Sequence, residues 1–107
     1  MNIMSYFNEN SDDWGWEKVE VLDGANCPSN RSLHASAVWM DSMYIFGGYD
    51  GNNRVNDMYE FHFPSKRWSI IPQLGEQPAP RDRHTAVVLH RSFYVFGGFD
   101  GVSRING

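Results

Sequence analysis

The sequence predicts an all-β protein assembled from a repeated four-stranded antiparallel unit. Three observations carry that reading. An apolar, aromatic run closing on a glycine pair, a ring and Asp-Gly, Met43-Tyr44-Ile45-Phe46-Gly47-Gly48-Tyr49-Asp50-Gly51, returns fifty residues later as Phe93-Tyr94-Val95-Phe96-Gly97-Gly98-Phe99-Asp100-Gly101. Short runs rich in aromatic and β-branched residues alternate with turn-forming clusters. Helical periodicity appears nowhere along the chain.

Residues 1–13 are polar and acidic (Asn8, Glu9, Asn10, Ser11, Asp12, Asp13) and are expected to be disordered. Residues 14–30 are expected to give one strand around Trp16, Lys18, Val19 and Val21, followed by a loop through Asp23-Gly24 and Cys27-Pro28-Ser29-Asn30. The internal repeat begins at Arg31. Laid over Arg81–Gly107 without a gap, Arg31–Asp57 is identical at twelve of twenty-seven positions: Arg31/Arg81, His34/His84, Val38/Val88, Ser42/Ser92, Tyr44/Tyr94, Phe46/Phe96, Gly47/Gly97, Gly48/Gly98, Asp50/Asp100, Gly51/Gly101, Arg54/Arg104 and Asn56/Asn106. Residues 31–80 therefore read as one repeat and 81–107 as the start of a second.

Within the first repeat, His34–Trp39 is small and apolar, as suits an inner strand, and Asp41-Ser42 turns it into Met43–Phe46. The glycine doublet ends that strand where a neighbour comes too close for a Cβ or where φ must be positive. Asp-Gly then makes a turn. Met58–Phe63 alternates as a third strand, and Pro64-Ser65-Lys66 turns into a fourth, Arg67–Pro72. Four antiparallel strands with short connections, repeating near fifty residues, are the pattern of a propeller blade.

The combination of Arg31-x-x-His34, Tyr44-Ile45-Phe46-Gly47-Gly48, Asp50-Gly51, Asn56-Asp57, Tyr59 and Trp68 resembles the Kelch repeat, closest in rhythm to the leucine-zipper-like Kelch–BTB proteins. The resemblance implies a partial Kelch-type β-propeller with about one complete blade plus flanking strands. It makes Gly47, Gly48, Gly97, Gly98, Tyr59 and Trp68 packing residues. Propellers of this kind use four to eight blades. The second copy stops at Asn106-Gly107, where the first continues into Asp57-Met58-Tyr59, so a truncated propeller with uncovered sheet faces and a tendency to self-associate is expected.

Bulk properties narrow the function. At 107 residues the chain has room for one small domain, and its net charge of -4 with no run of Lys or Arg argues against nucleic-acid binding. No stretch has the length of a membrane span, and residues 1–13 lack the basic and apolar regions of a signal peptide. Cys27 is the sole cysteine, so no internal disulfide can form, and a cytoplasmic or nuclear location is expected.

The best candidate for partner binding is Arg83. By the resemblance, its loop faces the binding mouth of peptide-capturing Kelch domains, where a guanidinium can pair a carboxylate through two donors. The first copy has Leu33 there. The loops after the doublets add Tyr49, Asn52, Arg54, Phe99 and Arg104. Because Arg54 and Arg104 share a register, pairing with Asp50 and Asp100 is the competing structural reading. His34 and His84 are a whole repeat apart with no third ligand at characteristic spacing, so hydrogen bonding within the blade core is expected rather than a metal. No nucleophile–base pair or phosphate cradle is evident. The expectation is a non-catalytic interaction module that binds another protein through its loops, without a cofactor. The resemblance adds a role in a cullin ubiquitin-ligase adaptor, and the alternatives are a piece of a Kelch-fold oxidase or lyase, or an inactive short product.

Overall fold

The computed structural model describes residues 3–7, 14–22 and 26–107. The described residues form eight strands: β1 (Ile3–Phe7), β2 (Trp14–Val19), β3 (Ala35–Trp39), β4 (Ser42–Phe46), β5 (Met58–His62), β6 (Arg67–Ile70), β7 (Thr85–Leu89) and β8 (Ser92–Phe96). They form a β1–β2 pair, a four-stranded sheet in the order β3–β4–β5–β6, and a β7–β8 pair, all antiparallel. Within each sheet, sequential strands are neighbours, as short hairpin connections require.

Side-chain alternation gives the four-stranded sheet two different faces. On one, Met43, Phe61 and Trp68 lie opposite one another across three strands. Ile45, Phe61 and Trp68 are almost fully buried, and Val19, Val21, Cys27, Met43 and Tyr59 pack around them. The Phe61 and Trp68 rings stand 5.0 Å apart, and Tyr59 meets Trp68 edge-on at 6.4 Å. Each such side chain contributes roughly 1.5–3 kcal/mol by burial. Because Val19 and Val21 lie against this cluster, the segment after β2 covers its outer end, and the Leu22 N–H donates to the Lys66 carbonyl at 3.0 Å.

The other face carries Tyr44 and Phe46 toward the second repeat, where Phe93 lies 6.5 Å from Tyr44 and His84 meets Phe46 edge-on at 5.5 Å. The two inner hairpins share one register: Ala35 pairs with Phe46 as Thr85 pairs with Phe96, and Trp39 with Ser42 as Leu89 with Ser92. Strand β3 packs beside β7. Hydrogen bonds across the boundary include Gly48 N–H to the Arg81 carbonyl (2.9 Å), Arg83 N–H to the Leu33 carbonyl (3.0 Å), Arg81 N–H to the Val55 carbonyl (3.3 Å), and His84 Nε2 to the Phe46 carbonyl (2.7 Å).

At the glycine doublets both physical reasons operate together. Gly47 and Gly48 have φ of +71° and +106°, and a Cβ on Gly47 would sit 2.9 Å from the Arg81 carbonyl oxygen, one on Gly48 2.7 Å from that of Ser32. Gly98 repeats this against the Asp82 oxygen at 2.6 Å, whereas Gly97 needs only its φ of +76°.

Three expectations require correction. Residues 3–7, expected to be disordered with the rest of 1–13, form β1 and pair with β2, since Ile3-Met4-Ser5-Tyr6-Phe7 is itself an apolar strand sequence; 8–13 lie outside the described residues. His84 is not bonded within its own repeat: its ring crosses to the first repeat's backbone at the Phe46 carbonyl, because β7 packs beside the neighbouring sheet along β3. The third and fourth strands end at His62 and Ile70, short of Phe63 and Pro72.

Candidate functional site

The loops that end β4 and β8, and those that lead into β3 and β7, emerge on one side of the sheets. Each turn is fixed by its aspartate. Asp50 Oδ1 accepts the N–H groups of Asn52 and Asn53 at 2.8 and 2.7 Å, and Asp100 Oδ1 those of Val102 and Ser103, both at 2.8 Å. These donors hold both carboxyls below the usual carboxylate pKa. One oxygen of each carboxylate is thus held by its own turn, and among the described residues neither pairs with an arginine. The expected pairing of Arg54 with Asp50 and Arg104 with Asp100 is corrected accordingly.

Arg54 reaches into the second repeat instead. Its Nε lies 3.1 Å from Asp82 Oδ2, and its guanidinium sits between the rings of Tyr49 (5.5 Å) and Phe99 (4.9 Å). Asp82 is buried, with 1% of its surface exposed, and its other oxygen accepts from Arg83 Nη1 at 3.0 Å. The backbone frames this arrangement: Asp82 and Phe99 exchange two hydrogen bonds (3.0 and 2.9 Å), and the Ile105 N–H donates to the Gly98 carbonyl at 2.9 Å. Arg83 itself takes a left-handed φ of +59°, matching +60° at Leu33, with its N–H tied to the Leu33 carbonyl. That conformation costs about 1–2 kcal/mol and sets the side chain outside the line of β7, 58% exposed.

Arg83, Gly98, Phe99 and Arg104 together line an open cleft of about 480 Å³. Arg104 has no ion pair among the described residues, and Arg83 shares its single carboxylate with Arg54. The cleft is therefore cationic, with an aromatic wall and a glycine floor where backbone can be approached closely. Of the six residues expected to bind a partner, the structure brings Arg83, Phe99 and Arg104 to this cleft. It places Tyr49 and Arg54 in the inter-repeat lock, and Asn52 exposed in its turn and not among the residues that line the cleft. Asp82 was missed by sequence reasoning. Its signal was a departure between the copies, Ser32 in the first and Asp82 in the second.

The two repeat-opening arginines do structural work. Arg31 ties the Gly47 carbonyl (3.1 Å) to the Asp57 carboxylate (Nη2 to Oδ2 3.0 Å), and Arg81 ties the Gly97 and Gly107 carbonyls (3.0 and 2.6 Å). His84 Nε2 donates to the Phe46 carbonyl while Nδ1 is buried without a partner among the described residues; burial pushes its pKa below the usual histidine value. His34 is shifted the same way by desolvation and by the nearby Arg31 guanidinium. Among the described residues no group of three or more His, Cys, Asp and Glu side chains could hold a metal ion, and no helix is long and apolar enough to cross a membrane.

An all-β chain of repeated antiparallel sheets, locked by glycine doublets and inter-sheet hydrogen bonds and presenting loops on one side, is of the β-propeller class. The chain belongs to the Kelch-repeat family: the KLHDC2/KLHL20/DRC7 Kelch-repeats domain matches residues 1–106. It is 40% identical over 61 residues to the leucine-zipper-like transcriptional regulator 1 homolog of Drosophila melanogaster (56% of this chain, 6% of that protein), and 38% identical over 68 residues to leucine-zipper-like transcriptional regulator 1 of Homo sapiens (61% and 8%). It is also 43% identical over 65 residues to the N-(sulfonatooxy)prop-2-enimidothioate sulfolyase of Thlaspi arvense (59% and 18%). The matched part of the chain thus spans less than a fifth of each of these relatives. Kelch-repeat domains generally bind other proteins, and most are non-catalytic interaction modules.

Proposed function

We propose that this chain is a non-catalytic interaction module whose loop cleft takes up a short acidic segment of another protein. The observation that supports this most directly is the convergence of Arg83 and Arg104 on one cleft, with Arg83's carboxylate partner, Asp82, already shared with Arg54. Phe99 offers an apolar wall beside the charges, and the combination of Arg with an aromatic ring is that of an interface anchor. A carboxylate entering here gains charge-assisted hydrogen bonds from a planar donor fork. The module acts in the cytoplasm or nucleus, consistent with a single cysteine.

The test is fluorescence anisotropy with a labelled Asp/Glu-rich decapeptide and its Asn/Gln counterpart. Binding of the acidic peptide alone, weakened roughly tenfold by Arg83→Ala or Arg104→Ala with melting unchanged, supports the reading. Equal binding of both peptides, or affinity indifferent to both substitutions, removes it.

At the level of a whole protein, the resemblance to Kelch–BTB proteins suggests our finer proposal, a substrate-adaptor role for a cullin ubiquitin ligase with these loops as part of the substrate surface. Co-precipitation of a cullin with the full-length protein tests that role. The likeness to the sulfolyase supports a second, enzymatic reading. Sulfolyase turnover or stoichiometric iron or copper in the purified protein would establish it, and the interaction reading expects neither.

A further inference from the structure

We propose that the side of the sheets opposite the loop cleft is a second docking surface, which takes an extended acidic segment of another protein that also carries apolar side chains. The surface is made of hairpin turns. Strand register sets Trp39, Ser42, His62 and Arg67 in one row, so the β3–β4 and β5–β6 turns adjoin at the strand ends remote from the glycine doublets. The β7–β8 turn stands beside them, since β7 packs beside β3, and Trp39, Arg91 and Ser92 line a common hollow. Turn tips project past the sheets, so the stacking of one sheet on the next leaves them in solvent.

These turns are tied down. The Phe63 N–H donates to the Asp41 carbonyl at 2.9 Å and links the first turn to the second. His62 Nδ1 meets Ser65 Oγ at 2.8 Å, the Lys66 N–H donates to the His62 carbonyl at 2.8 Å, and the Lys66 carbonyl accepts from the Leu22 N–H. Phe63 stands edge-on to the buried Phe61, with ring centroids 5.9 Å apart. A partner therefore meets side chains whose backbone is already ordered, which lowers the entropy lost on docking.

The residues at the tips are not those the backbone prefers. Met40, Lys66 and His90 have φ of +53°, +56° and +56°, a region that favours glycine or asparagine. Met40 and His90 hold the same place in two-residue hairpin turns of matching register, so the fold dictates the conformation and leaves the side chain free. All three side chains are exposed, Met40 at 75%. Among the described residues, Lys66, Arg67, His90 and Arg91 make no ion pair or side-chain hydrogen bond. Strained positions whose side chains do nothing for the fold point to a use outside it.

Their chemistry defines the partner. At the turns Lys66, Arg67 and Arg91 stand against one carboxylate, Asp41, in a chain whose net charge is -4. This side thus carries the sign opposite to the whole and draws an acidic segment to itself. Met40 and Phe63, the latter 42% exposed, add apolar contacts; Met, aromatic rings and Arg are the residues that interfaces collect. With sheets about 10 Å apart and strands about 4.8 Å apart, the three turns span roughly 20 Å, the reach of about six extended residues. The surface is separate from the cleft and does not depend on what the cleft binds.

The test uses the full 107-residue chain with Arg83→Ala and Arg104→Ala, which silence the opposite cleft, and a fluorescein-labelled decapeptide alternating Glu with Leu. Binding read by anisotropy should weaken about tenfold when the peptide's Glu is replaced by Gln or its Leu by Ser, and about tenfold when Met40→Asn and Lys66→Asn are combined in the protein. The melting temperature of that combined variant should hold or rise, because asparagine suits the left-handed backbone. On the chain without substitutions, a diazirine-bearing leucine in the peptide should label the Met40 and Phe63–Lys66 turns, located by mass spectrometry. Labelling confined to the loops around Arg83 and Arg104 overturns the proposal, as does an affinity indifferent to Met40→Asn with Lys66→Asn. A lowered melting temperature in that variant overturns it too, by showing that these side chains serve the fold. So does a preference for phosphatidylserine vesicles over the peptide, which would give this side to a membrane.

Discussion

His84 Nε2 sits 2.7 Å from the carbonyl oxygen of Phe46, thirty-eight residues away and across the boundary between the two repeats. The ring also stands edge-on to Phe46 and underlies Gly47, whose missing Cβ leaves the room it occupies: a Cβ there would be 2.8 Å from His84 Cε1. One side chain therefore joins the repeats by a hydrogen bond, a ring contact and a shape fit. His84→Ala is expected to lower stability by about 1–3 kcal/mol, through the orphaned carbonyl and the vacated space. Urea melts check it, and the equivalent His34→Ala, at an exposed ring, should cost distinctly less.

The same ring gives the fold a pH dependence with a fixed sign. Burial, the largest cause, lowers the His84 pKa from its ordinary 6.5, with Arg81 and His34 acting the same way and the Phe46 carbonyl and Asp82 opposing. The unfolded chain consequently takes up the proton first as pH falls. The contribution of His84 to stability is complete above about pH 6.5 and declines from there toward the lower folded pKa. His84→Gln keeps a donor for the Phe46 carbonyl and cannot titrate. Its melting temperature should fall less steeply than wild type below pH 6.5, while the two curves run parallel above it.

The strands of both repeats and the glycine doublets could be read from the sequence because period-two alternation and turn residues are local signals. What crosses between repeats could not. Arg54 and Asp82 are twenty-eight residues apart and meet only because neighbouring sheets stack; within the loop, Asp50 looked like the nearer partner but is consumed by its own turn. His84 carried the same ambiguity, since a repeated histidine says that a polar partner exists and not which sheet supplies it. β1 was hidden for a different reason: its apolar run is short and borders an acidic stretch that dominated the composition of residues 1–13.

Glycine substitutions separate crowding from backbone conformation. Gly51 and Gly98 share nearly the same φ, +100° and +101°, but a Cβ at Gly51 meets nothing within 4 Å while one at Gly98 meets the Asp82 carbonyl oxygen at 2.6 Å. Gly51→Ala should cost only the conformational strain, about 1–2 kcal/mol. Gly98→Ala should cost clearly more, because backbone must move, and should disturb the cleft beside Arg83. Thermal melts of the two variants side by side decide it; equal losses would mean that φ alone dictates glycine here.

Asp82 holds two arginines, and the one it holds on the cleft side is Arg83. Asp82→Asn removes the charge from both pairs. Full burial of such a pair would make its loss worth about 3–5 kcal/mol, but Arg54 and Arg83 side chains remain 26% and 58% exposed, so about 1–2 kcal/mol is expected. The functional effect should run the other way. Released from its carboxylate, Arg83 becomes a fuller donor, and the acidic decapeptide should bind several-fold more tightly at low salt despite the weaker fold, with the gain shrinking as ionic strength rises. Adding Arg83→Ala to Asp82→Asn should erase that gain. If instead Asp82→Asn weakens peptide binding in proportion to its loss of stability, the carboxylate serves to shape the cleft and not to restrain its charge.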